Sequence, residues 1–182
     1  MPTQLWRPIT GQGLERCELE TTASGYRIAG TALRAIEDDP YEIRYSILTD
    51  AQWVVSTVGA HVQGPGNDRR LALASDGNGA WSVTEEPVVE LYGATDVELS
   101  WTPSAHTVAI KRLDLGVGEA ADATVVAIGF PSHDIERKTH RYERIALRRY
   151  RFSTGAYQTD LEIDEHGLIV TQPGRWMSVL AH

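Results

Sequence analysis

The groups in this 182-residue chain that are able to do chemistry are six histidines, one cysteine and 25 carboxylates. The histidines are His61, His106, His133, His140, His166 and His182, and none falls in an HxH or HExxH pattern. Metal-binding histidines on one strand or helix face need such spacing, so no metal is expected. The plain reading is histidines on surfaces and in turns. Cys17 lies in a short polar segment with no adjacent base, and there is no GxSxG elbow, so the local sequence marks no nucleophile. The glycines never form GxxxxGK[ST] or a strand-linked GxGxxG, and no cofactor is expected.

Charge is distributed less evenly. Seven of the 17 basic residues crowd one stretch: Arg137, Lys138, Arg141, Arg144, Arg148, Arg149 and Arg151. Locally, Glu136 and Glu143 alone offset them. On a strand, Tyr142 shares a face with Arg144, while Tyr150 and Phe152 share one with Arg148. Arginine beside tyrosine can hold an anionic or polyhydroxyl head group by forked hydrogen bonds while the ring packs on an apolar moiety. For Arg149 and Arg151 the preferred reading is a solvated outer face paired with acidic neighbours. A second candidate is the segment His106 to Leu113, read as a strand with His106, Val108, Ile110 and Arg112 on one side. If that side is buried, Arg112 needs a carboxylate or a ligand anion, because an unpaired buried charge is costly. Asp96, Glu98 and Glu18 are possible partners, and both readings stay open.

Strands have to position these residues. Tyr41, Ile43, Tyr45 and Ile47 alternate with Glu42, Arg44 and Ser46, and Tyr157 to Ile163 alternates likewise. Period-2 alternation buries one sheet face and wets the other. Asp76-Gly77-Asn78-Gly79 is a strong hairpin signal, since Asn and Gly tolerate positive φ. Further strand-like runs are Tyr26 to Leu33, Trp53 to Val62, Arg70 to Ala74, Trp81 to Thr84, Asp96 to Trp101, Thr124 to Phe130, Ile135 to Ile145 and Leu147 to Phe152. Leu168 to Thr171 and Arg175 to Leu180 complete the series. A helical turn is expected only at Ala32 to Glu37 or Gly116 to Ala123, because no long 3.6-residue apolar stripe is present. The expected fold is all-β in one domain over residues 1–182, with the sheet curling into a barrel or roll.

Composition narrows the function. The 42% apolar and 23% charged fractions are ordinary globular values. A net charge of −8 argues against nucleic acid as partner. No run of 18 apolar residues is present to span a membrane, and no secretory signal is visible. A single cysteine excludes an intramolecular disulfide and points to a reducing, cytoplasmic setting. Trp and Tyr supply 12 of the 14 aromatic residues. Such rings suit pockets with one apolar and one hydrogen-bonding end.

Several motifs occur in a telling order: Asp50-Ala51-Gln52-Trp53, Gly79-Ala80-Trp81, Asp96-Val97-Glu98-Leu99, Thr102-Pro103, His106-Thr107, Ile110-Lys111-Arg112-Leu113, Asp164-Glu165-His166-Gly167-Leu168-Ile169-Val170, Pro173-Gly174 and Trp176. In this order, from about Glu18 to Trp176, the chain resembles the bacterial putative glycolipid-binding family, first described as a domain of unknown function. The resemblance implies a single-domain curled antiparallel sheet, a β-roll or incomplete barrel around a central cavity, similar in shape to periplasmic lipoprotein carriers. The chain departs from the family pattern at His106 and Ala109, at Val54 and Val55, and at Gln172. The reading is therefore a non-catalytic protein that binds an amphipathic, lipid-like or glycolipid-like molecule through Trp53, Trp81, His106, Arg112, Tyr142, Arg144 and Tyr150. A rival is a hydrolase or lyase pairing a cavity carboxylate with His106 or His140. A third is an interaction module with a large exposed apolar patch. Oligomeric state is not legible.

Overall fold

A computed structural model describes residues 1–180. The first half is a run of strands: β1 (Thr3–Pro8), β2 (Gln12–Thr21), β3 (Gly25–Ile36), β4 (Asp39–Asp50), β5 (Val55–Gly64), β6 (Asn67–Ser75), β7 (Trp81–Val83) and β8 (Glu86–Pro87). A 3-10 turn (Val89–Leu91), β9 (Asp96–Leu99) and the helix α1 (Ala105–Leu113) follow. The remainder is β10 (Ala120–Ile128), β11 (Ile135–Ala146), β12 (Arg149–Thr154), β13 (Tyr157–Ile163), β14 (Ile169–Gln172) and β15 (Trp176–Ser178).

All the strands join one curled sheet that does not close into a barrel. The order is β8-β7-β6-β5-β4-β3-β2-β1-β15-β14-β13-β12-β11-β10-β9. The two ends of the chain meet in mid-sheet, where Trp6 lies opposite Ser178 and Arg7 opposite Met177. The expected alternation is present in β4, where Ile43, Tyr45 and Ile47 are buried and Arg44 is exposed. The Asp76–Gly79 hairpin is present too. Asp76 Oδ1 accepts the Asn78 and Ala80 N–H groups at 2.8 and 2.9 Å, and Gly77 and Gly79 have φ of 77° and 95°.

Three expectations need correction. The segment His106 to Leu113 is not a strand but lies in α1. Its β-branched Thr107, Val108 and Ile110 favour strand locally, yet Ala105, Val108 and Ala109 bury one helical stripe at i, i+3 and i+4. The reason is topological. β9 and β10 are parallel neighbours, and parallel strands need a crossover, which is usually a helix. Neither expected helical turn is present: Ala32 to Glu37 falls on the end of β3, and Gly116 to Ala123 runs into β10. The segment around Cys17 is a strand, β2, that sequence reading did not anticipate. Its inward residues include Glu15, Cys17 and Leu19, and a charged inward residue hides the alternation.

The centre is filled rather than hollow. Trp6, Trp101, Tyr142 and Phe152 are among the fully buried side chains, and α1 packs against the sheet, its Thr107 Oγ1 donating to Gly167 O at 2.9 Å. The enclosed space left beside α1 is about 10 Å³, room for one water. The expected large central cavity is therefore replaced by a small polar chamber and open grooves.

The core also contains charge. Glu15 is fully buried; it receives Arg34 Nη2 at 2.8 Å, the Tyr45 hydroxyl at 2.5 Å and the Thr102 hydroxyl at 2.5 Å. Burial pushes its carboxyl above the usual range, opposed by Arg34 and the two hydroxyls. Removing Arg34 strands that carboxylate. Arg34→Ala should cost about 3–5 kcal/mol in urea unfolding, and adding Glu15→Gln should recover part of it. An Arg34→Ala variant as stable as the parent would show that the pair is not a structural tie.

Candidate functional site

The small chamber lies where α1, β9, β11 and β14 converge, and its wall includes Glu98, Ser100, His106, His140, Tyr142 and Gln172. Glu98 projects from β9, an edge strand of the sheet, and accepts from His140 Nε2 at 3.1 Å. His106, on the first turn of α1, meets the Tyr142 hydroxyl at 2.8 Å through Nδ1. The two imidazoles stand edge-on to Phe152, with centroids 4.7 and 4.9 Å away. One buried phenyl ring thus separates two histidine-centred pairs.

The electrostatics follow from this enclosure. Burial, with the nearby His140 charge, pushes His106 down to about 3, so it is neutral at ordinary pH. Burial alone would raise Glu98, but the His140 hydrogen bond and the histidine charges hold it below the usual carboxylate range. Tyr142 is pushed well above its ordinary value by burial and by Asp96 and Glu98. The chamber thus combines a neutral imidazole, an ionised carboxylate and a neutral phenol.

Several polar atoms here are unsatisfied. The fully buried Gln172 lies against His106, close enough to favour its protonated form. Yet neither amide atom has a well-aligned partner, and the same holds for Ser100 Oγ and Trp101 Nε1. Buried polar groups are nearly always bonded, so several orphans close together call for partners that their neighbours in the chain do not supply.

The chamber does not stand alone. It shares Ser100, Arg175 and Trp176 with an open groove of about 330 Å³ that also runs along Ile36, Trp101 and Phe130. It shares Glu98 and Arg175 with a wider open cleft of about 620 Å³ bordered by Lys138, Thr139, Thr154 and Tyr157. Arg34 lies 4.8 Å above the Trp176 ring at the groove wall. A polar chamber beside an aromatic groove can accommodate an amphipathic molecule.

Of the residues expected to form the site, the fold brings His106 and Tyr142 together. The others lie elsewhere. Trp53 stacks on Tyr26 at 4.0 Å, and Trp81 is buried with its indole N–H on Ala94 O. Arg112 is paired with the fully buried Asp96 through Nε at 2.9 Å and Nη2 at 2.6 Å. This settles the earlier choice of partner in favour of a structural ion pair. Arg144 donates to Leu115 O and Leu147 O and lies over Tyr150, and these two border a different groove of about 300 Å³. Sequence reading missed Glu98, Gln172 and Arg175 as site residues. His106 and Gln172, two positions departing from the family pattern, were the available signal, since both line the chamber.

The open curled sheet with its polar chamber defines a class of β-roll proteins with a concave, partly filled interior. Residues 3–178 match the putative glycolipid-binding family, and the chain belongs to it. It is also similar to a DUF1089-family protein of Pseudomonas aeruginosa, solved by crystallography, with a TM-score of 0.80 and 25% identity over 88% of this chain and 89% of that one. No curated protein matches the chain.

The titration of His106 makes stability depend on pH. In the unfolded chain it charges below about 6.5, whereas in the fold it stays neutral to about 3. Its contribution is therefore complete above pH 6.5 and is lost as pH falls toward 3, by up to about 1.4 kcal/mol per pH unit. Glu98, held below the usual carboxylate range, begins to lose its own contribution as pH falls below about 4.5. Urea midpoints measured from pH 7 to pH 4.5 should fall, and His106→Gln should flatten that slope; an unchanged slope would remove the assignment. Arg112→Ala should lower stability by about 3–5 kcal/mol in urea unfolding, because it leaves the buried Asp96 without its cation and with only the Thr95 hydroxyl.

Proposed function

We propose that this protein binds an amphipathic small molecule of glycolipid type and performs no chemistry on it. A hydroxyl-rich head enters the chamber, and the apolar chain lies along Trp101, Phe130 and Trp176. What carries the reading is the set of unpartnered buried atoms of Gln172 and Ser100 in a chamber whose wall continues into an apolar groove. Sugar hydroxyls donate and accept, so they can satisfy an amide and a serine hydroxyl together. A space of about 10 Å³ does not admit a sugar ring, so binding has to widen the chamber by turning wall side chains aside. The family name supports the ligand class.

Of the seven residues first expected at the ligand, His106 and Tyr142 are retained, joined by Glu98, His140 and Gln172. The enzyme alternative gains a carboxylate–histidine pair in Glu98 and His140. However, His140 bonds Glu98 and His106 bonds Tyr142, and among the described residues neither bonds a serine or cysteine nucleophile. Cys17 is a buried free thiol, which suits a reducing compartment, so the reading keeps the protein in the cytoplasm.

Alkyl glucosides of graded chain length test this. Each buried methylene is worth about 0.8 kcal/mol, so octyl glucoside should bind roughly tenfold more tightly than hexyl glucoside by titration calorimetry. Gln172→Ala should weaken both probes while preserving their ratio. Affinity independent of chain length would refute the groove, and an unchanged Gln172→Ala variant would refute the chamber.

A further inference from the structure

Arg175 stands where the three spaces meet, since it borders the polar chamber, the apolar groove and the wide cleft. Its backbone is tied on both sides. Arg175 N–H donates to Gln172 O at 3.0 Å, and its carbonyl accepts from Ile9 N–H at 2.9 Å. The guanidinium lies over Tyr157, 5.8 Å from the ring centroid. Among the described residues no carboxylate or carbonyl accepts a hydrogen bond from it, in contrast to Arg34, Arg112 and Arg144, which are all engaged. Arg137 and Arg144 also lack a carboxylate but are held by backbone carbonyls, whereas Arg175 faces an open cleft.

The groups facing it make the absence sharper. Lys138 borders the same cleft and is held by Glu136 at 2.9 Å. The charge of Arg175 bears on both Lys138 and His106, making protonation harder at each. Glu98, the one carboxylate shared by cleft and chamber, is turned to His140. Two cations, a phenol and the hydroxyls of Thr139 and Thr154 therefore border an open space whose acid is already engaged.

We propose that Arg175 selects for an anionic head group, a phosphate or a carboxylate, which it holds in the cleft together with Lys138. The inference rests on the amphipathic-ligand reading above and names the charge of the ligand. Arginine matches the planar or tetrahedral oxyanion geometry of either group with paired N–H donors. Tyr157 holds the guanidinium in place from behind, and the sugar portion is left facing Gln172 and His106.

The test compares octyl glucoside, octyl glucuronide and octyl glucoside 6-phosphate on the same protein by titration calorimetry. The parent protein should bind at least one acidic probe about tenfold more tightly than the neutral one at low salt. The preferred acid then tells carboxylate from phosphate. R175Q keeps the backbone ties of the turn and should reduce the acidic-to-neutral affinity ratio, read within each protein, to about twofold; K138Q should reduce it less. Equal binding of neutral and acidic probes by the parent overturns this inference alone, whereas binding of none of the three overturns the amphipathic-ligand reading with it. A preference that survives in R175Q also overturns it. Should R175Q fail to fold, the parent decides, because a preference that does not shrink between about 20 and 500 mM salt is not the work of an exposed charge.

Discussion

The parallel pairing of β9 with β10 is the constraint on which the rest of this structure depends. Every other neighbour in the sheet is antiparallel and joined by a turn or by the mid-sheet meeting of the chain ends. One parallel pair demands one crossover, and the chain spends that crossover on α1. The helix brings His106 to Tyr142, Arg112 to Asp96 and Thr107 to Gly167. It also occupies the volume that would otherwise be a hollow centre. Chamber and filled interior are thus two consequences of one topological step.

Filling the interior of a curled sheet with few phenylalanines has a further consequence. The tryptophans and tyrosines that do the filling each bring an N–H or O–H that must be met. Trp6 finds Ile169 O, Trp81 finds Ala94 O, and Tyr45 finds Glu15. In the Glu15–Arg34–Tyr45–Thr102 set one carboxylate receives three donors, though Arg34 Nε keeps no partner. Around the chamber the same accounting does not close, and Trp101, Ser100 and Gln172 retain unpaired atoms. The two polar clusters are near neighbours, since Trp101 O accepts from Arg34 while Thr102, next in sequence, serves Glu15. A carboxylate-centred network with one open donor thus lies beside a cluster with several, and the better satisfied a network is, the more firmly it fixes local geometry.

The chamber also illustrates how burial sorts similar groups. His106 and His140 touch the same phenyl ring, yet their partners differ. His140 faces the carboxylate of Glu98, while His106 faces a phenol and an amide, so burial drives it to the neutral form. Neither the residue type nor the position along the chain announces that difference. It arises from which strand each ring meets.

The sequence by itself determined the strand-rich class, because alternation in β4 and β13 and the Asp76–Gly79 turn are local signals written in neighbouring side chains. It also carried family membership, through motifs spread over nearly the whole chain. It concealed β2, where Glu15 points inward and spoils the alternation, and it misread α1, where β-branched residues prefer a strand until the parallel pair requires a helix. The assignment of charges was beyond local reading altogether. Arg112 and Arg175 look alike in sequence, and a carboxylate 16 residues upstream engages the first while none reaches the second. Only the tertiary structure decides such pairings, because a hydrogen bond depends on distances of about 3 Å between strands that sequence separation does not encode.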